Sequence, residues 1–238
     1  MTFKSSLLYA LRIIKPNIHS VSNGRKSLFG AVFGIALSLV PLIVVMVVAD
    51  GMIEGITDRM IGLSSYHLQV LCPADFSPDA VSETDAESKT EYLTELAQKI
   101  EKDAGGKAFI EKQGIALAAG KQNRTGAAVR AVDGDIFKDN GAFKTYIEVL
   151  SGTASFPDAK SAVIGKGIAE SLGVQVGDSI RLITADASLS RIRPKMLSCK
   201  VAGIVSSGYE EIDALWVFLP LTTGFAFLPE SSSQTRIG

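Results

Sequence analysis

The side chains able to do chemistry are few, and they are scattered. His19 and His67 are the two histidines, and Cys72 and Cys199 the two cysteines. The histidines lie on opposite sides of an uncharged apolar run, residues 27–49, so they cannot share a centre. No HExxH, CxxC, Walker A or GxSxG pattern occurs. Gly165, Gly167 and Gly173 suggest a phosphate loop, but Lys166 is not in a GxxxxGK[ST] setting and the glycines suit turns. The acidic stretch 75–87 lacks the ligand spacing of a calcium loop and reads as solvated. Glu210, Glu211 and Asp213 likewise read as a solvated turn. The reading is therefore no enzyme, no cofactor and no metal. Any ATP-driven work would need a separate ATPase chain. The remaining candidate is a binding tip in the segment 185–194, where Arg191, Ile192, Arg193 and Pro194 put two guanidinium groups around one apolar anchor. Arginine suits such a contact because its planar fork pairs with carboxylates. The alternative is an exposed hairpin with two solvated arginines.

The run 27–49 positions everything else. As a helix rising about 1.5 Å per residue it reaches roughly 34 Å, enough to cross a bilayer core. Lys4, Arg12, Lys15, Arg25 and Lys26 precede it without an acid, while Asp50, Glu54 and Asp58 follow. The positive-inside rule then puts a basic leader, 1–26, in the cytoplasm and the long remainder outside it. A cleaved signal peptide is the rival, although its apolar stretch would be shorter. Gly30, Gly34 and Ser38 recur every four residues and would let a second membrane helix approach closely. The alternative is that glycine is simply common in membrane helices. Pro41 should loosen the helix locally. Residues 50–63 keep apolar positions at helical spacing and read as a stalk beyond the membrane. Net charge is −1, which gives no reason to expect nucleic-acid binding.

Residues 64–238 form the remaining domain, with apolar content sufficient for a packed core. Residues 66–71 alternate as a strand, and 89–104 carry a helical period stopped by Gly105 and Gly106. Residues 108–117 and 125–132 read as an antiparallel pair joined by 118–124. A polar short-helix region occupies 137–149. Strands are expected at 162–164, 179–184, 196–205 and 214–219, with a short helix at 167–172 capped by Gly173. Residues 207–213 read as a polar loop. The class is α+β with a β-rich portion.

In order and spacing, DGMIEGITDRMIGLSSYHLQV, SGTASF, AVIGKGIAESLGVQVGDSIRLI and VAGIVSSGYEEIDALWVFLPL resemble the LolC/LolE lipoprotein-releasing permeases, within the MacB/FtsX-like class of ABC transporter permeases. The resemblance implies a first membrane helix with a stalk, then a periplasmic domain made of a mixed α/β lobe with an inserted β-rich lobe, incomplete at its C-terminus here. It implies a bacterial inner-membrane subunit that presents this domain to lipoprotein or its carrier. A separate cytoplasmic ABC ATPase would drive it, together with a second permease chain or the missing C-terminal half. It also implies that the loop matching 191–194 can grip the carrier. An FtsX-like anchored scaffold and a MacB-like efflux permease share the fold and stay open.

Overall fold

The computed structural model describes residues 23–66, 68–72, 86–121, 123–186 and 193–238. It divides into two compact units, residues 1–56 and 57–238. In the first, helix α1 (Asn23–Met60) runs without a break past Pro41 and across the division between the units. Among the described residues it is the one helix long and apolar enough to span a membrane. Its side chains from Phe29 to Val48 are exposed all round, as expected of a helix with no polar face. Ser38 donates its hydroxyl to the Ile35 carbonyl at 2.8 Å. No described residue packs against Gly30 or Gly34.

The second unit begins with the last residues of α1 and a π turn, Ile61–Ser65. Nine strands follow: β1 (Val70–Cys72), β2 (Ile110–Ala119), β3 (Arg124–Val132), β4 (Glu148–Gly152), β5 (Ser161–Gly165), β6 (Ser179–Asp186), β7 (Arg193–Ser206), β8 (Trp216–Pro220) and β9 (Ser233–Ile237). The helices are α2 (Ala86–Ala104), α3 (Ile136–Asp139), α4 (Gly141–Tyr146), α5 (Lys166–Leu172), α6 (Glu210–Asp213) and α7 (Leu221–Phe227). All nine strands share one sheet, in the order β1-β9-β2-β3-β8-β5-β7-β4. Strand β6 pairs with both β2 and β7, so β2-β3-β8-β5-β7-β6 closes into a ring.

Period-2 alternation decides what the ring encloses. Ala116 and Ala118 of β2, Ala127 and Val129 of β3, Ile164 of β5, Leu182 of β6 and Val201 of β7 share one buried cluster. Small alanines on two neighbouring strands leave room for Ile168 and Leu172 of α5 to fill it. Gly173 ends α5 in the left-handed conformation at φ 64°, as its sequence position implied. Gly165 and Gly167 have a different reason. A Cβ on Gly165 would lie 2.2 Å from the Asp213 carbonyl oxygen, so this glycine admits α6 rather than forming a turn.

The antiparallel β2–β3 pair, α2 and α5 agree with the sequence reading. Several expectations need correction. The strand expected at 66–71 is confined to Val70–Cys72, because Tyr66 has φ 56° and leaves the extended region. The loop expected at 207–213 ends in helix α6, and Asp213 is buried rather than solvated. It accepts hydrogen bonds from the Ser206 hydroxyl at 2.6 Å and the Ser207 amide at 2.7 Å. The expected loop 185–194 is shorter, since β6 and β7 pair out to Ala185↔Pro194 and Asp186↔Arg193. Helix α7 and strand β9 are additions, and β9 lies between β1 and β2. Both cysteines are free thiols. Cys199 belongs to the ring interior, and Cys72 packs against the separate cluster under α2 and α7.

Candidate functional site

The outer side of the ring carries two regions of unlike character. One lies where the end of α1 and the π turn meet the sheet. Glu111 on β2 and Arg236 on β9 are direct cross-strand partners, and Arg130 on β3 is the diagonal neighbour. Pairing therefore brings one carboxylate between two guanidinium groups. Arg130 donates from Nε to Glu111 Oε1 at 2.5 Å and from Nη2 to Oε2 at 2.9 Å, a bidentate fork. Arg236 donates from Nη2 to Oε2 at 3.1 Å. The Tyr66 hydroxyl donates to the same oxygen at 3.0 Å. The remaining Arg130 nitrogen, Nη1, donates to the Leu63 carbonyl at 2.7 Å and so caps the end of the helical segment.

This is a deeply buried ionic group. Glu111 is 0% exposed and Arg130 1%. Two cations face one anion, and aromatic faces supply part of the missing negative potential. The Arg130 guanidinium lies 4.4 Å from the Trp216 ring centre and 5.4 Å from those of Phe143 and Phe218. Arg236 lies over Tyr66 at 5.6 Å. Burial alone would raise the Glu111 carboxyl, but Arg130, Arg236 and the Tyr66 hydroxyl outweigh it and hold it below the usual carboxylate range. Burial, and then the Glu111 charge, push the Tyr66 phenol upward, so it stays a donor.

A second clamp sits one turn earlier on α1. Arg59 donates to the Ser207 carbonyl at 3.1 Å, and its guanidinium lies between the Tyr146 and Tyr209 rings at 5.1 and 5.4 Å. Asp213 fixes the backbone of this 206–209 segment through its two bonds to Ser206 and Ser207. Gly62 rests directly on α4, where a Cβ would approach the Ala142 Cβ to 2.6 Å. None of these groups resembles a reacting centre. They fix a helix end to a sheet.

The other region is open. Outward-facing Ile115 and Leu117 of β2, Ile183 of β6 and Met196 of β7 meet in register as Leu117↔Ile183 and Ile183↔Met196. Ile115 is 77% exposed and Met196 62%. Arg181, Ser198 and Lys200 flank the band on the same face. The band leads to the β6–β7 turn, where Arg191 and Ile192 lie outside the described residues. Arg193 and Pro194 begin β7, with Pro194 exposed. The sequence reading named this turn but missed the apolar band beneath it. Alternation in IALAA at 115–119 was the available signal, since it puts Ile115 and Leu117 opposite the alanine face. It missed the ionic group altogether. Gly30, Gly34 and Ser38 lie on α1, apart from both regions.

Residues 28–237 match the model of the MacB-like periplasmic core domain family. The chain is similar to the lipoprotein-releasing system transmembrane protein LolC of Xylella fastidiosa, in strains Temecula1 and 9a5c. Identity is 26% over 185 residues in each, covering 77% of this chain and 41% of the relative. The chain thus spans about two-fifths of the length of these curated relatives. Among solved structures, the extracellular domain of the ABC-type transporter YknZ from Gram-positive bacteria superposes with a TM-score of 0.40 at 11% identity, over 71% of this chain and 81% of that one.

Proposed function

Since the chain belongs to the MacB-like periplasmic core domain family of transporter permeases, we propose that it serves as the first-helix and periplasmic-domain part of the membrane subunit of an ABC transporter of the lipoprotein-release type. The likeness to LolC supports the lipoprotein branch. The observation that carries the reading is α1 itself. One helix holds the apolar span and ends, at Arg59 and Leu63, in bonds to the folded domain. A membrane subunit that transmits work outward needs such an ending.

In this proposal the basic leader 1–26 is cytoplasmic, 27–49 crosses the inner membrane, 50–63 is the stalk and 64–238 lies in the periplasm. Gly30, Gly34 and Ser38 pack on a neighbouring membrane helix. A separate cytoplasmic ABC ATPase supplies energy, alongside a second permease chain or further helices of the subunit. The β6–β7 turn, with Arg191, Ile192, Arg193 and Pro194, contacts lipoprotein or its soluble carrier. The apolar band beside it supports this, because exposed apolar groups rimmed by cations suit a protein partner. No substrate turnover is assigned to the chain.

The test is affinity purification of the tagged chain from detergent-extracted membranes, with mass spectrometry of what accompanies it. An ABC ATPase and a chain with further membrane helices are expected. Recovery of an outer-membrane channel and an adaptor would favour efflux. Recovery of a periplasmic partner without any ATPase would favour a scaffold and overturn the transport reading.

A further inference from the structure

The segment Ile61–Ser65 is unusual in three independent ways. It is a π turn, closed by the Tyr66 amide donating to the Ile61 carbonyl at 2.6 Å, five residues back. Such turns hold one residue more than an α turn and are disfavoured unless their surroundings support them. It is followed by Tyr66 at φ 56° and ψ 168°, the one non-glycine residue with positive φ among those described. A bulky residue there is strained by an amount of order 1–3 kcal/mol and persists only where other contacts over-determine it. Those contacts are the ionic group: Tyr66 to Glu111, Arg130 to Glu111, and Arg130 to the Leu63 carbonyl.

We propose that this turn is a register switch: the Tyr66–Glu111–Arg130 contact latches a wide turn, and its release lets the turn close to an α turn. The inference rests on the permease reading only for what would pull the latch. In the closed form Ser65, not Tyr66, would donate to the Ile61 carbonyl, and the phenol would leave Glu111. Removing one residue from a helical turn rotates what precedes it by about 100° and shifts it by about 1.5 Å along the axis. Because Gly62 sits on Ala142 with no room for a Cβ, such a rotation cannot leave α4 in place. Helix α4 carries Phe143, which packs against Phe218 and beneath Arg130. The turn, the latch and the sheet surface therefore move together, and an axial or rotary pull on the helix becomes one discrete step.

The experiment is hydrogen–deuterium exchange of the full chain in lipid nanodiscs, which needs no ATPase. Tyr66→Phe should speed exchange of the 61–66 amides about tenfold, the weight of one hydrogen bond to a charged group. The β3 amides should not change. Deleting Ser64 should close the turn and slow its exchange. Adding Tyr66→Phe to that deletion should then do nothing, because the latch is already empty. Faster exchange on deletion, or an additive effect of Tyr66→Phe in the deleted chain, would overturn the switch. Absence of an ATPase from purified complexes would instead overturn the transport reading and leave these exchange results standing.

Discussion

Strand β2 serves two opposite surfaces. Its first half puts Glu111 under aromatic rings, bound by two arginines. Its second half puts Ile115 and Leu117 into solvent. Each inverts the ordinary rule that charge is outside and apolar groups inside. Buried charge is costly unless fully paired, but its directional bonds leave a helix end a single permitted position. Exposed aliphatic surface contributes nothing to the fold and is useful only to something that covers it. The first region spends stability on geometry, whereas the second keeps adhesion in reserve.

The contrast breaks most sharply at Arg130. Arg130→Met leaves Glu111 buried with Arg236 alone and frees the Leu63 carbonyl. A loss of about 3–5 kcal/mol is expected in chemical denaturation, the usual cost of removing one member of a buried ion pair. A change below about 1 kcal/mol would mean that the group is not what fixes the helix end.

Acid tests the same group more gently. A carboxyl held below its ordinary value gives stability that is complete above the unfolded value, about 4.3 for glutamate. That stability is lost as pH falls through the folded-state value. The domain should therefore weaken progressively below about pH 4, and Glu111→Gln should flatten that part of the curve in urea titrations. An unchanged slope would show that the titrating carboxylates lie elsewhere.

The smallest expected effect on stability is on the other side. Ile115→Glu with Met196→Glu should change unfolding free energy by no more than about 0.5 kcal/mol per site, as for exposed positions. The same pair should abolish photo-cross-linking to a periplasmic partner from a probe at Pro194. A cooperative loss of folding would make the band part of the core, and unaltered cross-linking would remove it from the contact.

How far the sequence revealed these regions depended on what was local. The β2–β3 pair could be read because alternation and a turn at 118–124 lie within one stretch. Helix α5 could be read because Gly173 supplies its left-handed stop. Strand β9 could not. SQTRI has no alternation of its own and becomes a strand by lying between β1 and β2. The ionic group was hidden for a related reason. Glu111 and Arg130 looked like solvent-facing strand charges, and Arg236 lay in an unread tail. Yet a hairpin centred on the 118–124 turn places residue 130 diagonally from 111, so opposite charges there were a signal. Tyr66 was taken as extended because aromatic residues favour strands, and nothing in its neighbours announces φ 56°. The tip residues Arg191 and Ile192 remain, as in the sequence, a proposal about a partner.

Glu111 and Ile115 are four residues apart on one hydrogen-bonded strand, about 13 Å at the usual rise. β2 thus acts as a tie rod between bearing and grip. Displacement of the carboxylate along the strand displaces the apolar band by the same amount, through covalent backbone and without a relay of side chains.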